Sequence, residues 1–260
     1  MDIAFYLPGR IPVYTFSLLL AIGSLLGLLW AVYKASDDTV PTILDAGIVS
    51  LLGAVIGGRL AFALLNWAYF QTHPLEIPQI WLGGISAFGA LAGGILTVIV
   101  TAAIKRQNLG ELADDLLPLL TALGVSAWLG CWVNGCVYGA EVQAWWGIPA
   151  RDVWGDMATR WPIQPLGAIF TLLLFWGVDR ARARGWLPVP GLGASLEVVG
   201  ISLTGLGAFS LRVDSVPQSQ AWPWWGFLSL AIISSTLLVC CHNNQKSNSD
   251  KKFTRGDSHL

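Results

Sequence analysis

The chain has 260 residues, of which 54% are hydrophobic and 12% are charged, and its mean hydropathy is +0.60. Soluble domains carry about 25% charged residues, so this surface cannot be kept in water and a bilayer is the implied solvent. The net charge of −1 excludes an electrostatic nucleic-acid partner.

Seven apolar segments follow in chain order: Val13–Tyr33, Ile43–Leu65, Leu82–Ile104, Leu112–Val133, Ile163–Val178, Leu192–Leu211 and Trp224–Cys241. Most approach the roughly 20 residues that cross about 30 Å of hydrocarbon. The sequence therefore predicts an all-α, polytopic membrane domain of about seven transmembrane helices over residues 1–241. A polar, disordered cytoplasmic tail is predicted over 242–260. The first segment does not read as a cleaved signal peptide, since no Lys/Arg-rich start precedes it and no small-x-small site follows it.

Positive charge sets the expected orientation. If seven spans alternate, one side holds ten Lys/Arg: Lys34, Lys105, Arg106, Arg180, Arg182, Arg184, Lys246, Lys251, Lys252 and Arg255. The other side holds four: Arg10, Arg151, Arg160 and Arg212. The positive-inside rule puts the N-terminus outside and the C-terminus in the cytoplasm. In the second and third segments, Gly53–Gly57 and Gly89–Gly93 have the spacing that lets membrane helices pack closely.

Polar residues inside or beside the spans are the candidates for function. Arg59 lies within the second segment, with two readings open: a guanidinium facing a polar cavity, or one that snorkels or bonds to backbone carbonyls. Ser86 opens the third segment. Asn134 ends the fourth in the run Gly130-Cys131-Trp132-Val133-Asn134-Gly135-Cys136-Val137-Tyr138-Gly139, and it either binds a headgroup or caps the helix. Cys131 and Cys136 read either as buried packing residues or as an outer-face disulfide; the second requires the helix to break, because a five-residue offset on a helix points the two side chains apart. The longest outer loop carries Glu141, Arg151, Asp152, Asp156 and Arg160 among several tryptophans, as interfacial segments do. Gln164 follows it, and Arg212 with Asp214 follows the sixth segment. Arg59, Ser86, Asn134, Glu141, Arg160, Gln164 and Arg212 come from separate segments yet all map to the outer face. On the inner side, Asp114 and Asp115 read as first-turn carboxylates favoured by their own helix dipole, and Glu197 reads as structural. Scattered histidines and the lack of a CxxC pair argue against a metal site, and no cofactor motif is present.

These blocks, in this order, resemble the prolipoprotein diacylglyceryl transferase family. Ile11-Pro12-Val13-Tyr14, Gly57-Gly58-Arg59-Leu60, His73-Pro74-Leu75-Glu76 and Gly83-Gly84-Ile85-Ser86 are similar to its early blocks. The run from Gly130 to Gly139 looks like a Cys-containing variant of its signature. Arg160-Trp161-Pro162-Ile163-Gln164 resembles its Arg-His-Pro-Ser-Gln block, and Leu211-Arg212-Val213-Asp214 and Trp225-Gly226-Phe227-Leu228-Ser229-Leu230 resemble its closing blocks. The likeness implies seven spans in a bacterial inner membrane and a site on the periplasmic face. It also implies transfer of diacylglycerol from phosphatidylglycerol, or a similar anionic phospholipid, to the lipobox cysteine in the signal-peptide region of a prolipoprotein.

The resemblance assigns roles residue by residue. Arg212 would stabilise phosphate, Arg59 and Asn134 would orient the headgroup, and Gln164 and Arg160 would line the entrance, with Ser86 also among the binding residues. Several family positions differ. The family's Ser-Phe-His-Gly-Gly reads Ser86-Ala87-Phe88-Gly89-Ala90 here, and the Gly-Arg opening the signature reads Ala127-Trp128. The Tyr-Glu after Gln164 reads Leu166-Gly167, and the Arg-Phe and Glu before Arg212 are lost in Gly207-Ala208-Phe209-Ser210. A general base and a phosphate arginine are thereby missing. Glu141 is the candidate substitute for the base, and Arg160 or Arg151 for the arginine. Two other readings stay open: a non-catalytic relative that binds phospholipid or lipoprotein precursor, and a small transporter.

Overall fold

The computed structural model describes residues 3–7 and 11–214, together with 226, 229, 232 and 233. The long helices are α1 (Thr15–Lys34), α2 (Val40–Leu65), α4 (Ala87–Lys105), α6 (Leu117–Asn134), α7 (Ile163–Ala183) and α8 (Leu192–Leu211), with the short α3 (Trp67–Phe70) and α5 (Leu109–Asp115) between them. Five of them, α1, α2, α4, α6 and α8, are long and apolar enough to cross a membrane. Only 17% of α1 and of α4 is buried against protein over these stretches. Hydrocarbon must cover the rest, so this is a polytopic membrane protein. The expected seventh span, Trp224–Cys241, lies mostly outside the described residues, and the expected tail, 242–260, lies wholly outside them.

The element boundaries depart from the hydropathy reading where backbone chemistry intervenes. The third span begins at Ala87 and not at Leu82. Gly83 (φ +85°) and Gly84 (φ +83°) stop the preceding 3-10 turn, and Ser86 caps α4, its Oγ accepting from the Gly89 N–H at 3.3 Å. The fourth apolar segment is split at Leu116, ahead of Pro118 in the first turn of α6, where a missing N–H costs nothing. Two antiparallel hairpins escape a purely helical expectation: β1 (Ile3–Leu7) with β2 (Ile11–Tyr14), and β3 (Ile148–Arg151) with β4 (Met157–Arg160).

Small residues set the helix spacing, as the glycine pattern predicts. α2 and α4 touch backbone to backbone: a Cβ added at Gly57 would meet the Gly89 carbonyl oxygen at 2.5 Å. α1 lies against α6 in the same manner, and a Cβ at Gly27 would come 2.8 Å from Ala122 Cβ. Without a hydrophobic drive between helices in lipid, such close packing supplies the association energy.

One end of the bundle is closed by a core of Ala31, Ile43, Ala46, Ala102, Leu112, Leu116 and Leu119. Ion pairs ring that end: Lys34 with Asp179, Lys105 with Asp45, and Arg182 with Asp114. The expectation for Asp114 is corrected. It sits near the C-terminus of α5, and its carboxylate accepts the N–H groups of Gly191 (3.0 Å) and Ala194 (2.8 Å), so it caps α8 and not its own helix. Glu197 is fully buried and accepts from Thr121 Oγ1 at 3.1 Å, consistent with a structural role.

Gly57→Ala is expected to push α2 from α4 and destabilise the protein by about 1–3 kcal/mol, the usual range for overpacking. Reversible unfolding of the protein in lipid micelles measures this directly.

Candidate functional site

At the opposite end, α6 exits, α7 begins and α8 finishes, and Arg160, Glu141, Gln164 and Arg212 of the expected site residues are joined there through the residues that follow α6. The α6 terminus explains the meeting. Gly135 adopts a left-handed conformation (φ +70°) and ends the helix. The Cys131 carbonyl then accepts the N–H of Gly135 and, at 3.0 Å, that of Cys136. The Gly135 bond is the 5→1 bond of the left-handed helix cap, and the Cys136 bond is the 6→1 bond that folds the residue two past the last helical one back over the final turn. Cys131 and Cys136 are thereby brought to a Cα–Cα distance of 4.7 Å and form a disulfide. Of the two readings open for these cysteines, the disulfide is the one formed: the offset that separates two side chains on a continuous helix joins them across a glycine-terminated one.

The chain after the disulfide is tied to three other segments. Gln164, fully buried at the start of α7, donates from Nε2 to the Cys136 carbonyl at 3.0 Å. Tyr138 is buried, and its carbonyl accepts the Val213 N–H at 3.0 Å. Gly139 pairs with Arg212, and Glu141 with Arg160, in isolated antiparallel bridges.

Arg160 ends β4 and is only 5% exposed. Its guanidinium carbon lies 4.8 Å from the centre of the Tyr138 ring. Its Nη2 lies 3.1 Å from Glu141 Oε1 and 3.3 Å from Asp152 Oδ2. Asp152 is itself fixed, with Oδ1 accepting the N–H groups of Trp154 (2.9 Å) and Asp156 (3.0 Å). Glu141 is the exposed member, its side chain 67% accessible. An open groove of about 510 Å³ runs beside it, lined by Glu141, Val142, Gln143, Ala144 and Thr159. Arg212 grips Asp214 with both ends of its fork and stands over the Phe209 ring at 5.2 Å.

Tyr138 thus sits between two acid–base pairs, Arg160 with Asp152 and Arg212 with Asp214. Burial raises its phenol above the ordinary tyrosine range, and the Asp152 and Asp214 carboxylates push the same way, against the two arginines. Tyr138 stands within the glycine-rich run, and the residues around it in the sequence assign it no role. Its signal was its place between glycines that let distant segments approach. Two buried atoms here, Arg160 Nε and Gln164 Oε1, have no hydrogen-bond partner among the described residues.

Asn134 is the last residue of α6 and half-buried, and Arg151 ends β3, exposed. Of the two readings open for Arg59, the structure holds the one in which its guanidinium bonds to backbone carbonyls. It is 5% exposed and donates to four backbone carbonyls: Ile77 (2.7 Å), Glu76 (2.6 Å), Gly84 (3.0 Å) and Gly83. Phe62 and Phe70 lie against its planar face. The physical reason is supply and demand: the 3-10 turns and positive-φ glycines of residues 74–84 leave carbonyls that no helix satisfies, and a five-donor fork can reach several at once. Ser86 shares this corner, its N–H donating to the Gly58 carbonyl at 3.0 Å.

Trp128 and Gly167, two of the positions that depart from the pattern quoted above, are spatial neighbours: a Cβ at Gly167 would lie 2.5 Å from the Trp128 indole, so the ring rests directly on the glycine.

Arg59→Lys removes the planar fork and is expected to cost about 2–3 kcal/mol, the worth of one or two hydrogen bonds from a charged group. Protease cleavage within residues 66–86 should rise accordingly. For Tyr138, a raised phenol contributes stability that is full below the ordinary value of about 10 and is lost as pH climbs through the folded value. Tyr138→Phe should lessen the alkaline loss of stability above that pH, measured by thermal unfolding across a pH series.

Comparison with known proteins places this geometry among relatives. The family model for prolipoprotein diacylglyceryl transferase matches residues 2–242. A protein of Bordetella parapertussis named phosphatidylglycerol–prolipoprotein diacylglyceryl transferase is 33% identical over 183 residues, covering 68% of this chain and 65% of the relative. Proteins with the same name from Vibrio vulnificus and Aliivibrio fischeri are 27% identical over 254 residues and 29% identical over 248 residues. Those matches cover 92% and 89% of this chain, and 88% and 83% of the relatives. The match to the Bordetella protein therefore spans just under two thirds of that relative's length.

Proposed function

This chain belongs to the prolipoprotein diacylglyceryl transferase family, and we propose that it transfers a diacylglyceryl group from phosphatidylglycerol, or a similar anionic phospholipid, to the lipobox cysteine thiol of a prolipoprotein. In this reaction a carbon–sulfur bond forms, the carbon–oxygen bond to phosphate breaks, and glycerol phosphate leaves. The thiol proton must be taken up, and the developing phosphate charge must be met by fixed cations.

The observation that carries the reading is the pairing of a carboxylate that lines the groove with a buried guanidinium behind it: Glu141 Oε1 lies 3.1 Å from Arg160 Nη2. Glu141, reachable from solvent, takes the thiol proton. Arg160 is fixed by Asp152 and the Tyr138 ring, and it stabilises the departing phosphate in place of the missing family arginine. Arg212 enters from the other side of Tyr138 and contributes the second cation once phosphate competes with Asp214. Gln164 holds the Cys136 backbone in place, Asn134 and Arg151 line the approach, and Arg59 with Ser86 keeps the neighbouring loop in shape.

The same reading gives the topology: seven spans in the bacterial inner membrane, the N-terminus and the site on the periplasmic side, and residues 242–260 as a polar cytoplasmic tail. Support comes from the ion-paired end, where Lys34, Lys105 and Arg182 gather with their carboxylates, matching the side richer in Lys/Arg.

Purified protein in phosphatidylglycerol vesicles, given a lipobox peptide, should add a diacylglyceryl mass to the cysteine. Glu141→Gln should slow this about 10²–10⁴-fold, the usual contribution of a general base. Its exposed side chain keeps the fold unaffected, so an unchanged rate in that variant removes Glu141 from the mechanism. No mass gain in wild-type vesicles would overturn the transferase reading.

A further inference from the structure

The disulfide has a consequence beyond closing the end of α6. Directly after it, Val137 adopts φ +54°. A β-branched residue in the left-handed region is a backbone outlier that persists only where its surroundings over-determine it. The restraints are visible on both sides. On the N-terminal side, Cys136 is bonded to Cys131 and its carbonyl is held by Gln164. On the C-terminal side, the Tyr138 carbonyl accepts from Val213, and Gly139 bridges to Arg212.

The strained conformation performs a specific task. It turns the Val137 N–H onto Asp214 Oδ2 at 3.2 Å, the same oxygen that Arg212 Nη2 grips. Asp214 is almost fully enclosed, its side chain 6% accessible, so a hydrogen bond to its charge carries weight. If the N-terminal restraint is lifted, Val137 relaxes to an extended or helical conformation. Its N–H then leaves Asp214, and the Tyr138 carbonyl rotates from Val213.

We propose that the Cys131–Cys136 disulfide is a positioning element for the Arg212–Asp214 pair, acting through the left-handed backbone of Val137. Opening it, by two electrons and two protons to give two thiols, releases Arg212 from its place beside Tyr138. The consequence for catalysis rests on the transferase reading; the mechanical coupling does not.

The test uses the full chain in phosphatidylglycerol vesicles and reads hydrogen exchange at the Val137 and Val213 amides together with lipidation of a lipobox peptide. In the Cys131→Ala/Cys136→Ala variant, both amides should exchange roughly tenfold faster or more, in step, as release from a sparsely populated backbone region predicts. Adding Val137→Gly should restore slow exchange, because glycine holds positive φ without steric cost. A purely stabilising disulfide would not be rescued by that change. If the cysteine variant fails to fold, wild-type protein opened with a phosphine reductant gives the same comparison, with Val137→Gly protein treated alike. Unchanged exchange on opening, or faster exchange that Val137→Gly does not reverse, overturns the proposal. Coupled exchange with rescue but no lipidation in any sample upholds the clasp and overturns the transferase reading.

Discussion

A guanidinium group placed where water is scarce must have its acceptors built in around it, and that constraint organises the end of the bundle where α6 exits and α7 begins. Arg59, Arg160 and Arg212 are each met by protein. The partners are backbone carbonyls for Arg59, two carboxylates and an aromatic face for Arg160, and a bidentate aspartate for Arg212. Leaving any of these charges without partners in a low-dielectric setting would cost several kcal/mol. The solution differs with the local supply. Where irregular backbone exposes carbonyls, Arg59 staples them; where a loop supplies aspartates, Arg160 and Arg212 pair.

These partners also define what the charges can do chemically. A phosphate approaching Arg212 must compete with Asp214, whereas Arg160 retains a buried Nε without a hydrogen-bond partner among the described residues. Arg59 already donates along four directions to main chain, so its part is to hold the 74–84 segment in place. The working cations of the proposed reaction are therefore Arg160 and Arg212, joined through Tyr138 and its neighbouring glycines.

The glycines serve two distinct ends. Within the spans, Gly53, Gly57, Gly89 and Gly93 bring α2 and α4 into backbone contact, as their spacing announces. Where α6 ends, Gly135 reverses the chain so that Cys136 returns to Cys131 and the following residues reach Val213 and Arg212. The first use is periodic and readable from sequence. The second depends on a single left-handed residue, and its effect on neighbouring side chains appears only when the chain is built.

Length, apolar composition and segment spacing by themselves determined a polytopic helical membrane protein and its helix-packing glycines, and they marked Arg160, Glu141, Gln164 and Arg212 as residues from separate segments expected on one side of it. These features follow from one-dimensional quantities: hydropathy over about 20 residues, charge on alternate loops, and small residues four apart. Tertiary structure alone decided that Arg59 bonds carbonyls, that Cys131 and Cys136 join, that Asp114 caps α8, and that Tyr138 lies between two ion pairs. The reason is that a polar group's partner in lipid is set by which unsatisfied donor or acceptor ends up within about 3 Å. That distance depends on turns, caps and loop returns that leave no periodic trace in the sequence.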